Sequence, residues 1–157
     1  MDRTDNSSNA DIILGYARVF IIEPPSARTV SHAPRIRIEN TGRGWAVVFS
    51  GDTLSRKTGE FEYAGMLPSS RNKEYYAEYR YESLAAAAGS GLRAMFSLLG
   101  DGEYYATRMP EDQWVEFFSQ ARGLCRALDI EDCLPAEENI KSVYRKMAEK
   151  HSTSSCR

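Results

Sequence analysis

Nucleophilic or metal chemistry would have to come from very few side chains. The chain holds two histidines, His32 and His151, and three cysteines, Cys125, Cys133 and Cys156. A nucleophilic enzyme needs a nucleophile, a base and a group that orients the base. A cysteine–histidine pair here would require Cys125 or Cys133 to meet His32 across the fold, and His32 lies in a proline-flanked stretch. Cys125 falls on the apolar stripe of a predicted helix, where a thiol behaves as a small hydrophobe. Zinc could draw on Cys125, Cys133, His151 and Cys156, but their separations are eight, eighteen and five positions, whereas structural zinc sites bring ligands in close pairs. Gly42-Arg43-Gly44 runs into a strand, and Gly89-Ser90-Gly91 lies inside a helix, so neither has the geometry of a phosphate cradle. The expectation is no catalytic residue, no metal and no cofactor.

What remains is the chemistry of recognition. Four of the nine tyrosines lie between Tyr75 and Tyr81. Glu74 to Glu82 has a period of two and predicts a strand, with Tyr75, Ala77, Tyr79 and Tyr81 on one face and Tyr76, Glu78, Arg80 and Glu82 on the other. If the tyrosine face packs on the core, each hydroxyl needs a partner. If it faces solvent, it is a rigid aromatic surface suited to protein recognition or base stacking. Basic side chains accompany it: Arg35, Arg37, Arg43, Arg56, Lys57, Arg71, Lys73 and Arg80. Glu39, Asp52, Glu60, Glu62, Glu74 and Glu78 interleave with them, leaving +2 over residues 35–80. A groove that tracks phosphates shows a clearer excess.

The charge balance is uneven along the chain. Overall, 20 Lys+Arg stand against 22 Asp+Glu, a net of −2, which argues against a polybasic nucleic-acid coat. Residues 1–109 carry 13 basic and 13 acidic groups, so the deficit lies in the C-terminal part. Asp129, Glu131, Asp132, Glu137 and Glu138 follow one another without an intervening base. This is a solvated connector with the acidic first turn of a helix, or a patch that docks on a basic partner.

The elements that position these groups follow from patterning. At 157 residues, 42% hydrophobic and 27% charged, the composition is that of one ordinary globular domain, able to fold without disulfide or metal. Residues 1–10 read as a disordered leader with no signal segment, and Ile12 to Ile22 is too short and polar to span a bilayer. With sparse cysteines, this predicts a soluble cytoplasmic protein. Ile12 to Ile22 reads as a strand, residues 23–34 as a loop, and 35–49 as a β-hairpin turning at Asn40 to Gly44. Residues 51–59 read as a connection, 60–63 as a short strand and 65–72 as a loop. Ser83 caps a helix over 84–99, and Gly100-Asp101-Gly102 stops it. Residues 103–107 predict a short strand or linker. Pro110 opens a helix whose stripe holds Trp114, Phe117, Phe118, Ala121, Leu124, Cys125 and Leu128. A last helix spans about 136–150, and residues 151–157 form a frayed tail. The fold class expected is α+β: an antiparallel sheet of three to five strands with one packed helix over 11–109, then a helical hairpin over 110–150.

Within this frame, residues 44–88 resemble small phage and prophage accessory proteins. The resemblance rests on Glu60-Phe61-Glu62-Tyr63, the Pro68-Ser69-Ser70-Arg71 loop, the tyrosine segment, Ser83 and the alanine-rich helix start. It implies a mobile-element source, a host-cell cytoplasmic setting and action by binding and blocking a host component. The three-strand-plus-helix order is also similar to the DNA-binding modules of integrase arms and AP2-like domains, which read DNA with a sheet face.

The leading expectation is a non-enzymatic protein-binding module, an inhibitor of a bacterial defence or regulatory factor, with Arg71, Tyr75, Tyr76, Tyr79, Glu131 and Asp132 as contacts. The alternatives are a nucleic-acid-binding module using the aromatic and basic sheet face, and an enzyme of unfamiliar type. If the last helix leaves Trp114, Phe117 and Phe118 uncovered, a second copy would cover them as a homodimer. No membrane partner is expected.

Overall fold

The computed structural model describes residues 18–24, 34–101, 109–130 and 134–154. Among the described residues five strands form one antiparallel meander in chain order: β1 (Val19–Ile22), β2 (Ile36–Asn40), β3 (Trp45–Phe49), β4 (Asp52–Leu54) and β5 (Phe61–Glu62). Four α-helices follow among the described residues: α1 (Lys73–Tyr79), α2 (Leu84–Asp101), α3 (Glu111–Ala127) and α4 (Glu137–Ser154). The fold is α+β.

Alternation in the strands decides which face is covered. Ile36 and Ile38 are buried while Arg35 and Arg37 are exposed. Ile22 pairs with Ile36, and Ile38 with Val47, so one face of the sheet is a continuous apolar surface. Helix α2 lies on that face and brings Ala87, Ala88, Leu92, Met95 and Leu99 into the core. Gly91 sits where the helix comes closest to the sheet: a Cβ there would lie 2.9 Å from Val47 Cγ1. Ser83 starts α2 as expected, its Oγ accepting from Ala86 N at 3.1 Å, which satisfies one of the free donors of the first turn.

The turns explain the meander. At the β2–β3 turn, Asn40 Oδ1 accepts from Gly42 N at 2.9 Å. Between β3 and β4 the chain reverses through Ser50 and Gly51, with φ of 49° and 86°. Two residues of positive φ suit the right-handed twist of the flanking strands. The segment after Phe49 is therefore not wholly a connection, because Asp52–Leu54 pairs back as β4.

The tyrosine segment differs most from expectation. Residues 73–79 are helix α1, not a strand. Asn72 caps it, its side chain accepting from Tyr75 N at 3.0 Å. Lys73, Glu74, Ala77 and Glu78 are sound helix formers, and Tyr75 and Tyr79 lie four apart, the spacing of one helix face. The tyrosine pattern fits both periods, and the cap breaks the tie. Tyr81 alone keeps strand character, in a bridge to Trp45.

Helices α3 and α4 pack on each other and on α2. Trp114, Phe117 and Phe118 are buried to 1% exposure or less. The homodimer through these three rings thus loses its basis: all three are buried within one chain, in the same core cluster as residues of the sheet, α2 and α4. Glu111 and Arg145 join α3 to α4 at 3.3 Å, and Arg122 donates to Pro135 O. Pro110 is the N-cap rather than a first-turn residue of α3, and α4 continues past Lys150 to Ser154. The expected leader, the 103–107 strand, Glu131, Asp132 and the end of the tail lie outside the described residues.

Candidate functional site

The site is built from the loop after β5 and from α1. The Asn72 cap fixes the first turn of α1, which places both Tyr76 and Tyr79 against Tyr75. The Tyr75 ring lies 5.0 Å from Tyr79 and 5.5 Å, edge on, from Tyr76. Guanidinium groups gather on the same rings. Arg71 lies 4.9 Å and Arg80 5.4 Å from the Tyr75 centroid, and Arg43 lies 5.0 Å from that of Tyr76. Each distance is within the range in which a ring quadrupole attracts a cation. Arg43, Arg71 and Arg80 have no carboxylate at ion-pair distance among the described residues. Arg80 is buried, its Nη1 donating to Tyr79 O at 2.9 Å while Nε finds no acceptor among the described residues.

These side chains hold the preceding loop. Tyr75 Oη donates to Ala64 O at 3.2 Å, and Arg71 Nε donates to Met66 O at 3.0 Å. Between and beside these two anchors stand three exposed apolar side chains: Tyr63 at 82%, Leu67 at 71% and Met66 at 44%. A scattered exposed apolar residue is ordinary, but several grouped on one loop mark an interaction surface.

Tyr79 closes the other side. Its hydroxyl donates to Glu62 Oε1 at 2.6 Å. The hydrogen bond to the Glu62 carboxylate, followed by burial and the negative charge nearby, pushes the phenol from 10.0 up to about 12. Glu78, on the same helix, accepts from Ser55 Oγ at 3.0 Å and pairs with Lys57 at 3.8 Å. Helix α1 is thereby tied to the β4–β5 hairpin as well as to its own loop.

Of the six expected contacts, the structure brings together Arg71, Tyr75, Tyr76 and Tyr79. Tyr75 is a correction in role: at 6% exposure it supports the loop from beneath and has no free face for a partner. Tyr63, Met66, Leu67, Arg43 and Arg80 complete the site and were missed. The signal was there in the loop 65–72, where Met and Leu stand among Gly, Pro, Ser and Asn. The aromatic sheet face needed for the nucleic-acid reading does not form, because Tyr75, Tyr76 and Tyr79 lie on a helix and α2 covers the apolar face of the sheet.

Among the described residues no three His, Cys, Asp or Glu side chains are grouped to hold a metal ion, and no helix is long and apolar enough to cross a membrane. Cys125 is a buried thiol that forms no disulfide among the described residues. Comparison with protein-family models, curated proteins and solved structures gives no match in any of the three.

Proposed function

We propose that this chain is a protein-binding module without enzymatic activity, and that it engages its partner through Tyr63, Met66 and Leu67 with Arg43, Arg71, Tyr76 and Tyr79. The observation that carries this reading is the loop itself, which presents Tyr63 and Leu67 at 82% and 71% exposure while Tyr75 and Arg71 hold its backbone. A loop ordered in advance loses less conformational freedom on binding. Tyrosine and arginine are also the residue types that dominate binding energy at interfaces. Arg43 and Arg71, without an ion-pair partner among the described residues, select an acidic partner segment. The resemblance of residues 44–88 to phage and prophage accessory proteins favours a bacterial defence or regulatory factor as that partner, and inhibition by occlusion as the outcome.

The test is capture from a bacterial lysate with the wild-type chain and with a Leu67→Asp, Arg71→Ala double variant of equal thermal stability. A specific partner retained by the wild type and lost by the double variant supports the proposal. Retention of the same partner by both overturns this surface.

A further inference from the structure

A second feature lies apart from the arginine–tyrosine loop. The β4–β5 hairpin stands off α2, leaving a cleft made of two adjoining cavities. The first has a volume of about 620 Å³ and the second about 400 Å³. Both volumes lie in the range of small-ligand sites. Gly59, Ala94 and Ser97 line both cavities, so the two adjoin.

Charge is divided between them. Among the described residues, Arg56 and Arg93 line the first cavity with Ser90 and Tyr81, and no carboxylate belongs to its lining. Asp52, Glu60 and Asp101 line the second, and among the described residues no Lys, Arg or His does. The chain as a whole is nearly neutral, with 20 basic and 22 acidic residues, so this division is local.

The basic end is held in place. Arg56 Nη1 donates to Arg80 O at 3.2 Å, and its guanidinium lies 5.4 Å from the Tyr81 ring centroid. Arg93 folds back over Gly89, where a Cβ would be 3.8 Å from its Nη2. Arg93 has no ion-pair partner among the described residues. Two guanidiniums without a carboxylate between them suit a carboxylate or phosphate group. At the acidic end three carboxylates, which do not group as a metal site among the described residues, supply charge complementary to an ammonium group. Phe61 and Leu98, both half-buried, supply an apolar wall beside them.

We propose that this cleft binds a small zwitterion of dipeptide or tripeptide size. Its anionic group meets Arg56 and Arg93, its ammonium meets Asp52, Glu60 and Asp101, and its apolar body lies on Phe61 and Leu98. An extended tripeptide separates its terminal charges by about 10 Å, so one end can reach the arginines of one cavity while the other lies in its neighbour.

The experiment is a calorimetric titration of the full chain with the tripeptide Ala-Leu-Ala, free, N-acetylated, C-amidated and doubly blocked. The free peptide should bind, and each single block should weaken it about tenfold or more. Arg93→Gln should abolish the sensitivity to amidation, and Asp101→Asn the sensitivity to acetylation. Absence of heat with the free peptide at about 10 mM overturns the proposal, as does equal binding of the doubly blocked peptide. Inorganic phosphate binding as tightly as the free tripeptide also overturns it, reducing the cleft to an anion site. Because the peptide ends are varied as well as the protein, a misfolded variant does not decide the outcome.

Discussion

Trp45 and Tyr81 exchange both backbone hydrogen bonds, each at 2.8 Å. Strand β4 pairs only with Val48 and Phe49 of β3, so Tyr81 takes up the edge that Trp45 would otherwise leave unpaired. This bridge fixes the C-terminal end of α1 against the sheet and so orients the arginine–tyrosine cluster. Gly44 permits it. Its φ is +102°, and a Cβ would lie 2.8 Å from Tyr81 O. Gly44→Ala should therefore cost about 2 kcal/mol or more, from strain and displaced backbone together. Gly42→Ala, at φ +84° with nothing within 4 Å, should cost about 1 kcal/mol, from strain alone. Urea denaturation of the two variants checks the difference.

The Tyr79–Glu62 bond should be visible in a titration. The phenol is harder to ionise in the folded chain, about 12 against 10.0. Its contribution to stability is therefore complete below pH 10 and is lost as the pH rises from 10 toward 12. The difference in tyrosinate absorbance between wild type and Tyr79→Phe should show this late step. Glu62→Gln removes the charge but keeps an acceptor, and should move the step back toward 10.

Two helical glycines should respond in opposite directions. Gly123 is exposed on α3, and a Cβ added there would meet nothing within 4 Å. Gly123→Ala should stabilise by about 0.8–1 kcal/mol. Gly91→Ala gains the same propensity but drives a methyl group against Val47 in the packed core. Overpacking of that kind costs about 1–3 kcal/mol, so a net loss is expected. Thermal melts of both variants give the comparison.

Removing the Phe118 ring should act on folding. Phe118 has no exposure, lies 5.9 Å from the Trp114 ring and stacks on it. Phe118→Ala should destabilise by about 3–5 kcal/mol, read as a shift of the denaturation midpoint. Sedimentation of the wild type should show no concentration-dependent association through these rings.

The loop anchor and the loop surface should separate cleanly. Tyr75→Phe deletes the bond to Ala64 O and should cost about 1 kcal/mol while leaving the ring contacts with Tyr76 and Tyr79. Leu67→Asp changes an exposed side chain and should alter stability by less than about 0.5 kcal/mol. Both should weaken partner capture, the first by loosening the loop and the second by altering its surface.

The 35–49 hairpin, the Ser83 cap and the stripe of α3 were legible because each is a local signal that packing reinforces. Ile36 and Ile38 alternate with arginines, and the sheet uses that alternation. The tyrosine segment was not legible as a helix. Tyr75, Tyr79 and Tyr81 satisfy a period of two, while Tyr75, Tyr76 and Tyr79 satisfy a helical face. The deciding group was Asn72, which lies outside the pattern, in a stretch that reads as loop.

The sequence by itself determined the α+β class, the main hairpin and helices, and the scarcity of histidine and cysteine, because residue type and short-range period carry that information. Only the tertiary structure decided where the aromatic and charged groups meet. It buried Trp114, Phe117 and Phe118 within one chain, set Arg43 against Tyr76 from a turn distant in the chain, and brought charged groups of the β4–β5 hairpin and of α2 to one cleft. Such pairings depend on how elements dock, and docking is set by long-range packing that no local pattern records.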